Sequence, residues 1–255
     1  MNTKTALFSR FQLPVFIILL AAAACSSPPG TSASPNPDSS SGAAPAPGIP
    51  ASQAQDKPSL SAVMAPFDYF VLALSWAPDY CSANGSQDGQ ECAPGKKLGF
   101  VLHGLWPQNN RGYPSSCSTE KLGSGVKAAF PGLYPNDALY DHEWEKHGTC
   151  TGLDPQQYLA LARQLKASVL VPADFKAPPK AFRISTAALV KDFTAANTSL
   201  SPASLAVYCS GSGRFFSELF VCFSRDAGPT ACSVEVLKKA SQSCSNTDFL
   251  VRNTP

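Results

Sequence analysis

Histidine is the side chain best suited to exchange protons near neutral pH, and this chain has only three. His103 lies in FVLHGLWPQ, while His142 and His147 lie together in DHEWEKHGTC. Any one histidine alone is most simply a surface or satisfied core residue. The second segment carries more information. If residues 142–147 are helical, the step of about 100° per residue sets His142 beside Lys146 and Glu143 beside His147, all four within an arc of about 140°. One helix face then turns two imidazoles, an ammonium and a carboxylate toward a single cleft. That set suits an anionic substrate: an imidazole moves protons while the cations hold charge building on phosphate oxygens.

Other chemistries fit less well. The zinc-protease pattern H-E-x-x-H needs a histidine four residues after His142, where this chain has Lys146. His142 and His147 on a helix diverge by about 140°, and the intervening ammonium repels a cation. No C-x-x-C pair marks a zinc site, so no metal and no cofactor is expected. A serine nucleophile lacks its G-x-S-x-G elbow, and the cysteines read as paired.

Several elements must position these side chains. FDYFVLALSW, from Phe67 to Trp76, and LGFVLHGLW, from Leu98 to Trp106, are apolar, aromatic runs that predict buried strands. Two further runs, Leu205–Cys209 and Phe215–Phe223, flank Ser210–Arg214 with its two glycines and predict an antiparallel hairpin. Asp154 followed by Pro155 is a helix cap with first-turn proline, and YLALARQLKA continues at helical spacing. Ser185–Phe193 predicts a shorter helix. Strands and helices in this mixture predict an α+β domain with a central antiparallel sheet flanked by helices.

That domain is expected over residues 67–255. Before it, Lys4 and Arg10, the apolar run Leu13–Leu20 and the small residues Ala21–Ala24 have the layout of an export signal over residues 1–25. Cys25 after a small residue resembles a bacterial lipidation site, so the membrane would be reached only through a lipid there; an ordinary cut after Ala23 or Ala24 is the alternative. Residues 26–66 are rich in Ser, Ala, Pro and Gly with no aromatic residue, a composition that cannot bury enough apolar surface to offset ordering entropy. A flexible tether is expected there. With Cys25 set aside, eight of the nine cysteines remain. In an oxidising compartment they predict four disulfides, with 105 pairings open. The excess of 20 basic over 18 acidic residues is Lys4 and Arg10. The region after Cys25 is therefore neutral, so a nucleic acid would be gripped by a local groove.

FVLHGLWPQ and HEWEKHGTC resemble the two catalytic segments of the ribonuclease T2 family, and the resemblance runs from Phe67 to the C-terminus. It implies an endoribonuclease, secreted or facing the periplasm, that cuts single-stranded RNA as a monomer. In that family the ribose 2′-hydroxyl attacks the adjacent phosphorus, giving a 2′,3′-cyclic phosphate that can be hydrolysed to a 3′-phosphate. By resemblance His147 is the base, His103 the acid and His142 a phosphate ligand, with Glu143 and Lys146 stabilising the transition state. Spacing alone does not say which imidazole is acid and which is base.

Trp106 matches the position where the family stacks an aromatic ring on the upstream base, and Tyr113 is a weaker candidate for the same pocket. Gln108 stands where an acid is common, and Leu139 where an aromatic residue often holds the downstream base, with Tyr140 adjacent. The resemblance also implies the pairs Cys81–Cys92, Cys117–Cys150, Cys209–Cys244 and Cys222–Cys232. Two other classes remain to be weighed: a catalytically silent binding lipoprotein and a metal-dependent hydrolase.

Overall fold

The structure is a computed structural model that describes residues 66–254. The export signal, Cys25 and all but the last residue of the tether lie outside them. In chain order the elements are β1 (Tyr69–Trp76), α1 (Ala77–Asn84), α2 (Gly89–Cys92), β2 (Phe100–Gln108), α3 (Ser124–Ala128), α4 (Asp137–Lys146), α5 (Pro155–Ser168), β3 (Phe182–Ile184), α6 (Thr186–Ala196), β4 (Leu205–Ser210), β5 (Phe215–Ser224), α7 (Val234–Ser243) and β6 (Phe249–Val251). This is the α+β architecture.

Six strands form one open sheet in the order β2-β1-β5-β6-β3, with β4 also paired to β5. Its pairs are antiparallel except β5 with β6, which meet in parallel at Phe215 and Leu250. β1 is the hub, with β2 on one side and β5 on the other. Alternation along β1 sends Phe70, Leu72, Leu74 and Trp76 into the main core, where they meet Trp144, Tyr158, Leu159 and Phe193. Each such large apolar side chain contributes about 1.5–3 kcal/mol when buried. Tyr69, Val71 and Ala73 face the other way into a thinner layer with Phe220, Cys222 and Val236, covered in part by α7. The cleft described below opens on this second face.

Local signals act as expected at α5, where Asp154 accepts from the Gln157 N–H and the Gln157 side chain accepts from the Asp154 N–H. Ser185 caps α6 through the Ala188 N–H. The turn between β4 and β5 places Gly211, Ser212 and Gly213 at positive φ, which the two glycines accommodate without strain.

Disulfides join Cys81 to Cys92, Cys117 to Cys150, Cys209 to Cys244 and Cys222 to Cys232. Cys117–Cys150 spans 33 positions and fastens the segment after β2 to the turn that follows α4. Replacing both cysteines by serine is expected to cost about 3 kcal/mol, seen as a lower urea midpoint. Activity should then fall at urea concentrations where the far-ultraviolet signal is still native.

Candidate active site

His103 and Trp106 are three residues apart, so in a regular strand they would point to opposite faces. The β1–β2 register prevents this. Ala73 pairs with Gly104 and Leu74 with Leu102, leaving His103 as an extra, unpaired residue. A bulge of this kind re-aims side chains next to active sites. Leu102 and Leu105 therefore stay in the main core, while His103 and Trp106 meet on the thinner face, edge to face with ring centroids 5.0 Å apart.

The second segment arrives on α4, whose N-cap Asn136 accepts from the Leu139 N–H. The helix ends at Lys146. His147 is the C-cap, with φ −119° and ψ −47°, yet its N–H still donates to the Glu143 carbonyl at 3.0 Å. The expected helix thus loses its last residue without losing its phase. Glu143 and His147 are buried, at 0% and 4% exposure; His142 is exposed and Lys146 half-buried. All four line one cleft of about 230 Å³ with His103, Trp106, Gln108 and Tyr113.

Trp106 organises the centre. Its indole N–H donates to Glu143 Oε2 at 2.7 Å. One ring face stacks on His147, with centroids 5.2 Å apart and planes 29° from parallel, and Phe220 meets it edge-on at 5.2 Å. Tyr113, 51% exposed, approaches the His147 ring at 6.0 Å. Gly104 makes the Trp106–Glu143 bond sterically accessible: a Cβ there would stand 1.9 Å from Glu143 Oε2.

Two expected base-contacting positions are separated by the helix phase. Leu139 lines a second recess of about 640 Å³ beyond His103 and His142, with Tyr80, Asp88 and Asn136. Tyr140, about 100° further round the helix, is corrected to a core residue. It is 4% exposed, its hydroxyl donates to the Phe130 carbonyl at 2.5 Å and accepts from the Leu133 N–H at 3.0 Å, and it lines neither cleft. Gln108 is buried at the end of β2 in the wall of the first cleft.

Residues far along the chain complete the site and were not singled out in sequence. Glu218 of β5 lies 2.7 Å from His103 Nδ1 through Oε1, and Tyr208, Phe220, Val236 and Lys239 line the first cleft. Only Glu218 carries a signal in the sequence, as the lone charge within FFSELFVCFS.

The electrostatics separate the two buried-side imidazoles. Burial works against a charged His103, but the bond to Glu218 and its charge, with Glu143 and Glu91 behind, raise its pKa above 6.5. Burial, then the charges of Lys146, His142 and His103, push His147 down to about 3. His142 is also lowered, by burial, Lys146 and His103. Burial lifts Glu143 to about 7, against the opposing pull of His103 and the Trp106 bond. At mildly acid pH the cleft therefore holds a charged His103, a neutral His147 and a Glu143 that keeps its proton.

A carboxyl held near 7 carries a pH-dependent cost. Its folded pKa lies above the ordinary glutamate value of 4.5, so its contribution is fully favourable below 4.5 and is lost as pH rises through 7. The loss is on the order of 3 kcal/mol above that range. Glu143→Gln, which keeps an oxygen for the Trp106 N–H, is expected to raise the melting temperature at pH 8 and leave it nearly unchanged at pH 4. Differential scanning calorimetry at the two pH values checks this.

The Ribonuclease T2 family profile matches residues 67–232. A ribonuclease of Aeromonas hydrophila is 39% identical over 194 residues, covering 73% of this chain and 86% of that protein. A probable ribonuclease of Haemophilus influenzae is 34% identical over 123 residues, covering 42% of this chain and 45% of that protein. Among solved structures, ribonuclease MC1 from bitter gourd seeds superposes with a TM-score of 0.55 at 22% identity, over 72% of this chain and 99% of its own. An RNase-related protein from Calystegia sepium gives 0.55 at 18% identity, over 74% and 98%. At such identities the solved structures speak for the fold alone. The profile and the A. hydrophila relative carry the assignment: the chain belongs to the ribonuclease T2 family and is a ribonuclease.

Proposed function

We propose that the protein cuts single-stranded RNA internally by transesterification, with His147 as base and His103 as acid, and without a metal ion. The observation that carries this reading is the meeting of a buried His147 and a Glu218-bonded His103 in one cleft with Glu143 and Lys146. His147 takes the proton of the ribose 2′-hydroxyl as the 2′-oxygen bonds to phosphorus. The bond from phosphorus to the 5′-oxygen breaks, and His103 protonates the departing oxygen. The product is a 2′,3′-cyclic phosphate. Hydrolysis to the 3′-phosphate runs the roles in reverse, with His103 taking a proton from water and His147 returning one to the 2′-oxygen.

Glu143, Lys146 and His142 hold the phosphate oxygens. Glu143 with its proton on donates a hydrogen bond, as a buried neutral carboxyl can, and Lys146 supplies charge as the transition state gains it. The upstream base lies against the aromatic wall of Trp106 and Tyr113 beside Gln108, although His147 already covers one face of Trp106. The downstream base occupies the recess beside Leu139. Two recesses flanking the phosphate site require bases splayed apart, which a paired duplex does not offer. A mutant of ribonuclease MC1 has been crystallised with 5′-UMP, a ligand of the class proposed here.

Four disulfides suit export to an oxidising compartment. Within that compartment we propose a monomer, either released or tethered by a lipid at Cys25. Among the described residues no helix is long and apolar enough to cross a membrane.

The test is product identification: the purified protein on a dinucleotide should release a 2′,3′-cyclic phosphate at an undiminished rate in EDTA. A 5′-phosphate product, or abolition by chelator with recovery on zinc, would overturn the mechanism. The rate has a predicted pH dependence. Activity needs His147 unprotonated and His103 protonated, so kcat/KM should be broad between roughly pH 4 and 6.5. It should fall on the basic side as His103, raised above 6.5, and Glu143, near 7, lose their protons. An optimum above pH 8 would contradict the assignment.

A further inference from the structure

We propose that Glu218 is the positioning residue of His103, holding its Nδ1–H so that Nε2 is the nitrogen offered to the 5′-oxygen. The inference rests on the functional reading above and adds a residue from the far end of the sheet to it.

Three observations carry it. The Nδ1–Oε1 distance is 2.7 Å, and a carboxylate only accepts, so the ring must place a proton on Nδ1. The same oxygen receives the Ser75 hydroxyl at 2.9 Å, which restrains the carboxylate itself. Finally, Glu218 stands on an interior strand, with Ser75 of β1 as its partner on one side and Tyr208 of β4 on the other. Both contributing strands are bulged at the contact. β2 carries the extra residue His103, and β5 is irregular at Ser217, immediately before Glu218. The two irregularities let side chains from separate ladders meet.

An ordinary surface ion pair is the simpler reading, and such pairs contribute little. The position argues against it. Glu218 interrupts an apolar strand, its side chain is 24% exposed, and it bonds the one imidazole that the bulge turns into the cleft. Glu143 from α4 and Glu91 from α2 also act on His103, and His142 and His147 oppose its charge. Among these only Glu218 is hydrogen-bonded to the ring.

The tautomer is the functional consequence. When Nε2 gives its proton to the departing 5′-oxygen, Nδ1 keeps its own on Glu218, and the lone pair left on Nε2 is in place to take a proton from water in the second step. Without the carboxylate, the neutral ring is free to carry its proton on Nε2, where it cannot serve as that base.

The experiment pairs ¹⁵N NMR titration of His103 in the free protein with pH profiles of dinucleotide cleavage, for wild type, Glu218→Gln and Ser75→Ala. Glutamine keeps an acceptor and loses the charge. It should lower kcat by about 10- to 100-fold at neutral pH with KM within about twofold, and move both the NMR midpoint and the basic limb to lower pH. Ser75→Ala should move all three in the same direction by less, and it serves if Glu218→Gln does not fold. The wild-type spectrum should show the Nδ1–H tautomer above the midpoint. An unmoved midpoint and basic limb, an Nε2–H tautomer, or activity lost only in proportion to the folded fraction would overturn the proposal. If the wild type cuts no RNA, the functional reading fails, while the NMR titration still reports on Glu218.

Discussion

His147→Ala is expected to reduce kcat for cyclic-phosphate formation by about 10³-fold or more, and His103→Ala by a similar factor, each with only a modest change in KM. A positioned acid or base contributes about 10²- to 10⁴-fold. His142 has a lowered pKa, but it is exposed and sits on the Lys146 side of the helix; His142→Ala should therefore weaken substrate binding more than it slows chemistry. On the proposed mechanism the two histidines act in one transition state, so the double variant should be little worse than either single one. Quench-flow on a dinucleotide separates these terms. His147 is also buried against Trp106, so melting curves must show that the alanine variant is folded before its rate is interpreted. A folded His147→Ala enzyme within tenfold of wild type would remove that residue from the mechanism.

The sequence was most informative where the site is local. His142, Glu143, Lys146 and His147 lie within one helical turn and a half, so the periodicity of a helix was enough to bring them together. The same reasoning could not locate the helix end, and it could not tell Leu139 from Tyr140. These neighbours differ by one step of rotation, and what decides between them is the core that Tyr140 enters beside Tyr134. Strands gave the opposite difficulty. The β2 run was legible from its apolar content, but strict alternation would have separated His103 from Trp106. The bulge that unites them exists only in the pairing with β1. Glu218 is 115 positions from His103, and nothing local to either residue fixes their meeting. Helix α7 was not singled out, although Val236, Leu237 and Ala240 recur at helical spacing and share one face against the thinner core layer.

Gly104→Ala carries the other large expected effect, from the addition of a single methyl group. The added Cβ would lie 1.9 Å from Glu143 Oε2, 2.2 Å from Trp106 Nε1 and 2.7 Å from Glu143 Cδ, so both partners of the 2.7 Å bond must move. Neither has an easy path. The Glu143 carboxyl is fully buried, and its other oxygen already lacks a hydrogen-bond partner, so displacement adds a second unsatisfied group at about 1–3 kcal/mol. The Trp106 ring is held between His147 and Phe220, so shifting it drags His147 out of line. The variant is expected to lose about 2–4 kcal/mol of stability and at least 10²-fold in kcat, since small misplacements of reacting groups are that costly. Trp106→Phe is the informative companion. It removes the N–H but keeps most of the ring, so it should leave His147 packed and cost about tenfold. If the methyl group acts through the Trp106–Glu143 bond, combining Gly104→Ala with Trp106→Phe should give far less than the product of the two losses. Additive losses, or a Gly104→Ala enzyme of wild-type rate and melting temperature, would show that the bond over Gly104 does not hold the site together.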